Sequence, residues 1–133
     1  MRDNPEKALA DARVWLKSAE DAFARAGEAE RAEVVACAEA IHAIIRANDA
    51  LTMALLGLKG TRHDDSPMLF GRLLREKKIE ARHAKFATLV FKAVEAKSGA
   101  DYGRSEICGK EAEYFVRGAR EFLEMAEKSV AKK

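Results

Sequence analysis

Apolar residues recur along this chain at steps of three and four, the spacing that lines one face of an α-helix. Leu9, Ala12, Leu16, Ala19 and Phe23 form the first such stripe. Asn4 followed by Pro5 supplies its start: a side chain able to cap the helix, then proline at the first helical position. Gly27 ends it. The second pattern runs from about Glu28 to Leu58 and carries Val34, Ala38, Ile41, Ile45, Asn48, Thr52 and Leu55 on one stripe. Cys37, Ile44, Leu51 and Leu58 widen it. A helix apolar over so broad an arc is expected at the centre, touching neighbours on several sides.

Gly60 to Asp65 (GTRHDD) reads as a loop, and Ser66-Pro67 repeats the cap-plus-proline start. Leu69, Phe70, Leu73 and Leu74 predict a short third helix, closed by a charged turn at Arg75-Glu76-Lys77-Lys78. A fourth helix is expected from about Glu80 to Lys97, with Phe86, Val90 and Val94 inward. After a loop from Ser98 to Cys108, a fifth follows from about Gly109, with Phe115, Gly118, Phe122 and Met125 on one stripe. No strand pattern, repeat or linker is present. The expectation is an all-α fold: an up-and-down four-helix bundle with one additional short helix, in a single domain over residues 1–133.

Composition agrees with this pattern. Hydrophobic residues make up 48% of the chain and charged residues 35%, which excludes a disordered polymer. The net charge of +2 makes no strong statement about partners. Its distribution says more, because basic residues outnumber acidic ones between Lys59 and Lys85, and such an excess suits RNA or another anion. The two cysteines, Cys37 and Cys108, have neither a disulfide-framework nor a zinc spacing, and Cys37 reads as a small buried hydrophobe. The N-terminus lacks an apolar signal region. The longest apolar run, Ala50 to Leu58, is too short for a bilayer. A cytoplasmic protein with no membrane contact is expected.

Three constellations could carry chemistry. Glu39/His42 and Glu80/His83 are both E-x-x-H, the motif that di-iron bundles pair across two helices. Counted at 1.5 Å per residue, His42 falls about 27 Å from the Gly60 loop, whereas His83 falls near it. No metal site and no cofactor are therefore expected. The second set, His42, Arg46, Asn48 and Asp49, interrupts the apolar second helix; buried, such groups need partners. The third is Lys97-Ser-Gly-Ala-Asp101-Tyr102-Gly, where the fourth helix ends. The same arithmetic puts Lys97 about 26 Å from Glu80, level with His42. No P-loop, G-x-G-x-x-G or G-x-S-x-G motif is present.

The stretch Ile45 to Gly60 (IRANDALTMALLGLKG) resembles the central helix of HEPN domains, the "higher eukaryotes and prokaryotes nucleotide-binding" family. The loop with His63, the run ADYG and the glutamate-rich segment from Lys110 to Glu127 fit the same order, so the resemblance spans about Ala36 to Lys128. It implies a bundle of four or five helices, often a homodimer, and often paired with a minimal nucleotidyltransferase as a toxin–antitoxin system. Many members are metal-independent ribonucleases with an R-x4-6-H motif at the end of the penultimate long helix. Lys97 stands at the arginine position and Tyr102 at the histidine position. Lysine keeps the charge but not the bidentate fork, and tyrosine titrates far above neutrality. His42 or His63 would have to supply imidazole, and His42 is the better placed by the arithmetic above.

The implied function is a HEPN-like module binding nucleotide, RNA or a protein partner, with weak or no catalysis. An active ribonuclease using Lys97, Tyr102 and His42 is the alternative. A purely structural interaction protein is a third. Asp101, Arg46, Asp49 and His63 are the expected binding residues.

Overall fold

A computed structural model describes residues 2–28, 31–62, 64–100 and 111–132, with backbone alone at 98–100. These residues are all-helical, with no strand among them. Among the described residues five α-helices pack together: α1 (Pro5–Ala24), α2 (Ala32–Leu56), α3 (Asp65–Arg75), α4 (Phe86–Ala100) and α5 (Ala112–Lys132). A 3-10 turn, Ala81–Lys85, leads directly into α4. No helix among the described residues is long and apolar enough to cross a membrane.

α1 starts as the sequence predicts. Pro5 opens it, and the Asn4 side chain accepts a hydrogen bond from the Lys7 N–H at 2.8 Å. α3 starts differently. Ser66 is buried and does not cap it; the helix begins at Asp65, two residues before Pro67, the expected first helical position. The Asp65 carboxylate instead accepts the N–H groups of Thr61 and Arg62, both at 2.9 Å, and so ties the preceding loop to the helix.

α2 is the central helix and packs against α1, α3, α4 and α5. Its inner face is not the expected one at every position. Ala38 is exposed, and the fully or nearly buried row is Ala36, Ala40, Ala43, Ala47, Ala50 and Ala54. Ala8, Ala12 and Ala19 of α1 are fully buried as well. Small side chains let helix axes approach closely, so this part of the core is made by backbone proximity rather than by large side chains. α2 ends at Gly57, whose φ of 72° lets Leu58 N–H reach back to Thr52.

The large side chains fill the other side. Phe122 of α5 meets Phe70 of α3 and Phe86 at the start of α4, with ring centroids 5.7 and 5.3 Å apart. Such pairs add about 0.5–1.5 kcal/mol beyond the apolar area they bury. Where α4 crosses α5, Gly118 faces Leu89 so closely that a Cβ there would lie 2.6 Å from Leu89 Cδ1. Cys37 is buried, as expected, but it is disulfide-bonded rather than a free thiol. The chain's other cysteine, Cys108, lies outside the described residues.

α3 and α4 are separate helices. α3 stops at Arg75 because Lys77 adopts a left-handed conformation, φ 56°, and Lys78 N–H turns back onto Leu73 at 2.8 Å. α4 then packs along α3 and returns toward the α2–α3 loop. That reversal fixes where Lys97 lies.

Candidate functional site

Lys97, at the end of α4, lines a pocket of about 220 Å³ with Asp49 and Ile45 of α2, Gly60, Thr61 and Arg62 of the loop, and Ser66 at the start of α3. This differs from the expected level. The arithmetic treated α3 as an appendage and started α4 beside the loop; the two helices instead form a hairpin, which brings Lys97 back to the loop. His42 is not among the lining residues. It stacks on Trp15 of α1, with ring centroids 4.6 Å apart. Asp101, Tyr102 and His63 lie outside the described residues.

The loop that supplies Thr61 and Arg62 is held by the two Asp65 bonds, and those N–H donors keep the Asp65 carboxyl below its usual range. Gly60 admits no side chain here, since a Cβ would lie 2.8 Å from Asp65 Cβ. Behind the pocket, Asn48 donates from Nδ2 to the Ser66 carbonyl at 3.0 Å and pins α3 to α2. Its Oδ1 is buried with no hydrogen-bond partner among the described residues.

Arg46, expected as a binding residue, is occupied. Its guanidinium donates to Asp3 through both terminal nitrogens at 3.0 Å, to Asp11 at 3.0 Å and to Asp49 at 3.0 Å. Lys59 adds a bond to Asp3 at 2.8 Å. Arg46, then Lys59, hold the Asp3 carboxyl well below the usual carboxylate range, and Asp3 in turn raises Arg46. Burial pushes Asp49 up, against the pull of Arg46. The cluster clamps the segment before α1 onto α2. Asp49 belongs both to it and to the pocket wall.

The two E-x-x-H pairs are separated by their contacts. Glu39 accepts from Ser18 at 2.7 Å, whereas Glu80 pairs with Arg82 at 3.0 Å. Among the described residues, no group of three or more His, Cys, Asp or Glu could hold a metal ion.

Fold and pocket together define an all-helical bundle protein with a small pocket of mixed charge at the meeting of α2, α3 and α4. No protein-family model, curated protein or solved structure matches the chain.

Proposed function

We propose that this chain is a HEPN-like helical module that binds RNA through the Lys97 pocket, with weak or no catalysis. The observation that carries the reading is the convergence of Lys97 with Thr61 and Arg62, two cations and a hydroxyl from separate elements. At about 220 Å³ the pocket suits one phosphate or sugar of a strand rather than a whole small ligand, for which about 300–1,000 Å³ is usual. The finer description, an up-and-down four-helix bundle with one additional short helix, belongs to the same proposal, with α3 and α4 paired as a hairpin. So do the homodimer and the minimal nucleotidyltransferase partner, which rest on the resemblance alone.

The ribonuclease alternative needs an imidazole at this pocket. The described lining residues include none, and His42 faces Trp15.

A fluorescent single-stranded oligoribonucleotide, titrated across salt concentrations, tests the reading. Each phosphate contact contributes a slope of about −0.7 to log K against log salt. Lys97→Ala combined with Arg62→Ala should flatten the slope by about 1.4. Absence of binding at low salt, or an unchanged slope in the double variant, removes the proposal.

A further inference from the structure

At the other end of α3 lies a second, larger cleft of about 510 Å³. It forms where the C-terminal end of α3 meets the 3-10 turn and the last turns of α5. Lys77 and Lys78 come from the first side, Arg82 from the turn, and Lys128 and Lys132 from α5. Glu80 is the one carboxylate among its described lining residues, and it is paired with Arg82 at 3.0 Å. Lys77, Lys78, Lys128 and Lys132 form no ion pair with a described residue.

Some of that positive charge has a local counterweight. Two helix C-termini point at the cleft, and each carries about half a negative charge. Glu76 lies within electrostatic reach of Lys78 and Glu80 of Lys132, although these carboxylates are paired with Arg72 and Arg82. Subtracting about one unit for the helix ends from four lysines that lack an ion pair among the described residues leaves a surplus of at most about three. Helix ends therefore do not account for the cluster. Backbone conformation gives a second reason to look for a ligand. Lys77 sits at φ 56°, where glycine is the residue that costs least. A lysine at such a position keeps a charge at the cleft that glycine would not provide.

Size and composition narrow the ligand. The volume falls within the range of small-ligand sites. The walls are Leu74, Ile79 and Met125, and no Phe, Tyr or Trp is among the described lining residues to offer a stacking platform for a base. His83 lines the cleft too, but it is 9% exposed and stacks on Phe86, with ring centroids 6.2 Å apart. Lysines, unlike arginines, act as point charges rather than planar forks. We propose that this cleft binds a compact polyanion of two or three linked phosphates, either an inorganic polyphosphate or the phosphate arm of a nucleotide. The proposal is independent of the Lys97 pocket, which lies at the opposite end of α3.

Calorimetric titration of the full chain, in non-reducing buffer, with tripolyphosphate, ATP and AMP tests it. Tripolyphosphate and ATP should bind with Kd values within about threefold of each other if the phosphates carry recognition, and AMP at least about tenfold more weakly. A much tighter ATP would assign the source as a nucleotide and leave the phosphate site standing. Lys78→Ala with Lys128→Ala should weaken tripolyphosphate binding at least about tenfold, with an unchanged far-UV CD spectrum. Lys97→Ala should leave it unchanged. Lys77→Gly, which relaxes the backbone, should fold at least as well and bind more weakly. No binding at millimolar ligand overturns the proposal. Equal weakening by Lys97→Ala does so too, as does displacement by a 5′-hydroxyl oligoribonucleotide as effective as tripolyphosphate.

Discussion

Arg46 has a side chain only 19% exposed, and carboxylates of Asp3, Asp11 and Asp49 surround it. Lys77, Lys78, Lys128 and Lys132 stand in a cleft whose one carboxylate among the described lining residues is already paired with Arg82. The sequence presents both as charged positions in a chain that is 35% charged. Their difference lies in where the counter-charge sits. Around Arg46 it is built into the fold, so the group is spent on holding the N-terminal segment to α2. Around the lysines it is thinner: Glu76 and Glu80 act on Lys78 and Lys132 but are paired with Arg72 and Arg82, so among the described residues the lysines keep charge for a ligand. An interior charge cluster is thus poor evidence of a ligand, whereas an uncompensated one on a concave surface is better evidence.

The comparison breaks most directly on stability. Arg46→Met removes the shared partner of three carboxylates, two of which have side chains 20% and 13% exposed. Breaking a buried pair from one side costs about 3–5 kcal/mol, and the partial exposure here argues for about 3. Lys78→Ala should stay within about 0.5 kcal/mol of the parent, as surface substitutions do. Urea unfolding of both variants measures the gap. Equal midpoints would mean that the Arg46 cluster is a surface decoration and the contrast is false.

How far these roles could be read without coordinates depends on the element. α1 and α5 were legible because their stripes carry large residues: Leu9, Leu16, Phe115, Phe122 and Met125 are all buried as expected. α2 was legible as a central helix, but its orientation was not. Its seam is made of alanines, which carry little hydrophobic signal, so Val34 and Ala38 competed on equal terms with Ala36 and Ala40. The Lys97 pocket was half legible. Lys97 and Asp49 were singled out, but their meeting depends on the α3–α4 reversal, and a distance counted along one helix cannot include a turn. The lysine cleft was not legible beyond the basic excess before Lys85. Lys128 and Lys132 are some fifty residues further on, and nothing in local spacing links them to Lys77.

Acid titration sharpens the same contrast with a smaller effect. Asp3 has its folded pKa depressed, chiefly by Arg46 and then by Lys59. An acid so depressed adds stability above its unfolded pKa, and that stability is lost as pH falls through the folded value. Asp3→Asn should therefore cost about 1.5 kcal/mol at pH 7, the worth of a charge-assisted hydrogen bond, and progressively less toward pH 2. Asp49 works in the opposite sense. Burial raises its pKa, so its protonation favours the folded chain as pH falls. Comparing parent and Asp3→Asn at each pH isolates Asp3 from that opposing trend. A difference that stays constant from pH 7 to pH 2 would show that the Asp3 link is not ionic.

Lys77→Gly probes the other side of the comparison and carries the smallest stability change. At φ 56° an L-residue pays about 1 kcal/mol relative to a conformation it prefers, and glycine escapes that cost. Lys77 is exposed, so no packed contact is lost with its side chain. Glycine at this position after α3 should stabilise the protein by about 1 kcal/mol, seen as a higher urea midpoint with an unchanged slope. The same variant should bind tripolyphosphate less tightly. Opposite signs in the two measurements would mean that stability is given up at this turn to keep a charge at the cleft, the pattern expected where backbone strain serves a site. A variant that is both more stable and equally competent in binding would leave Lys77 as a strained residue with no share in the cleft, and the cationic surplus would then have to rest on Lys78, Lys128 and Lys132.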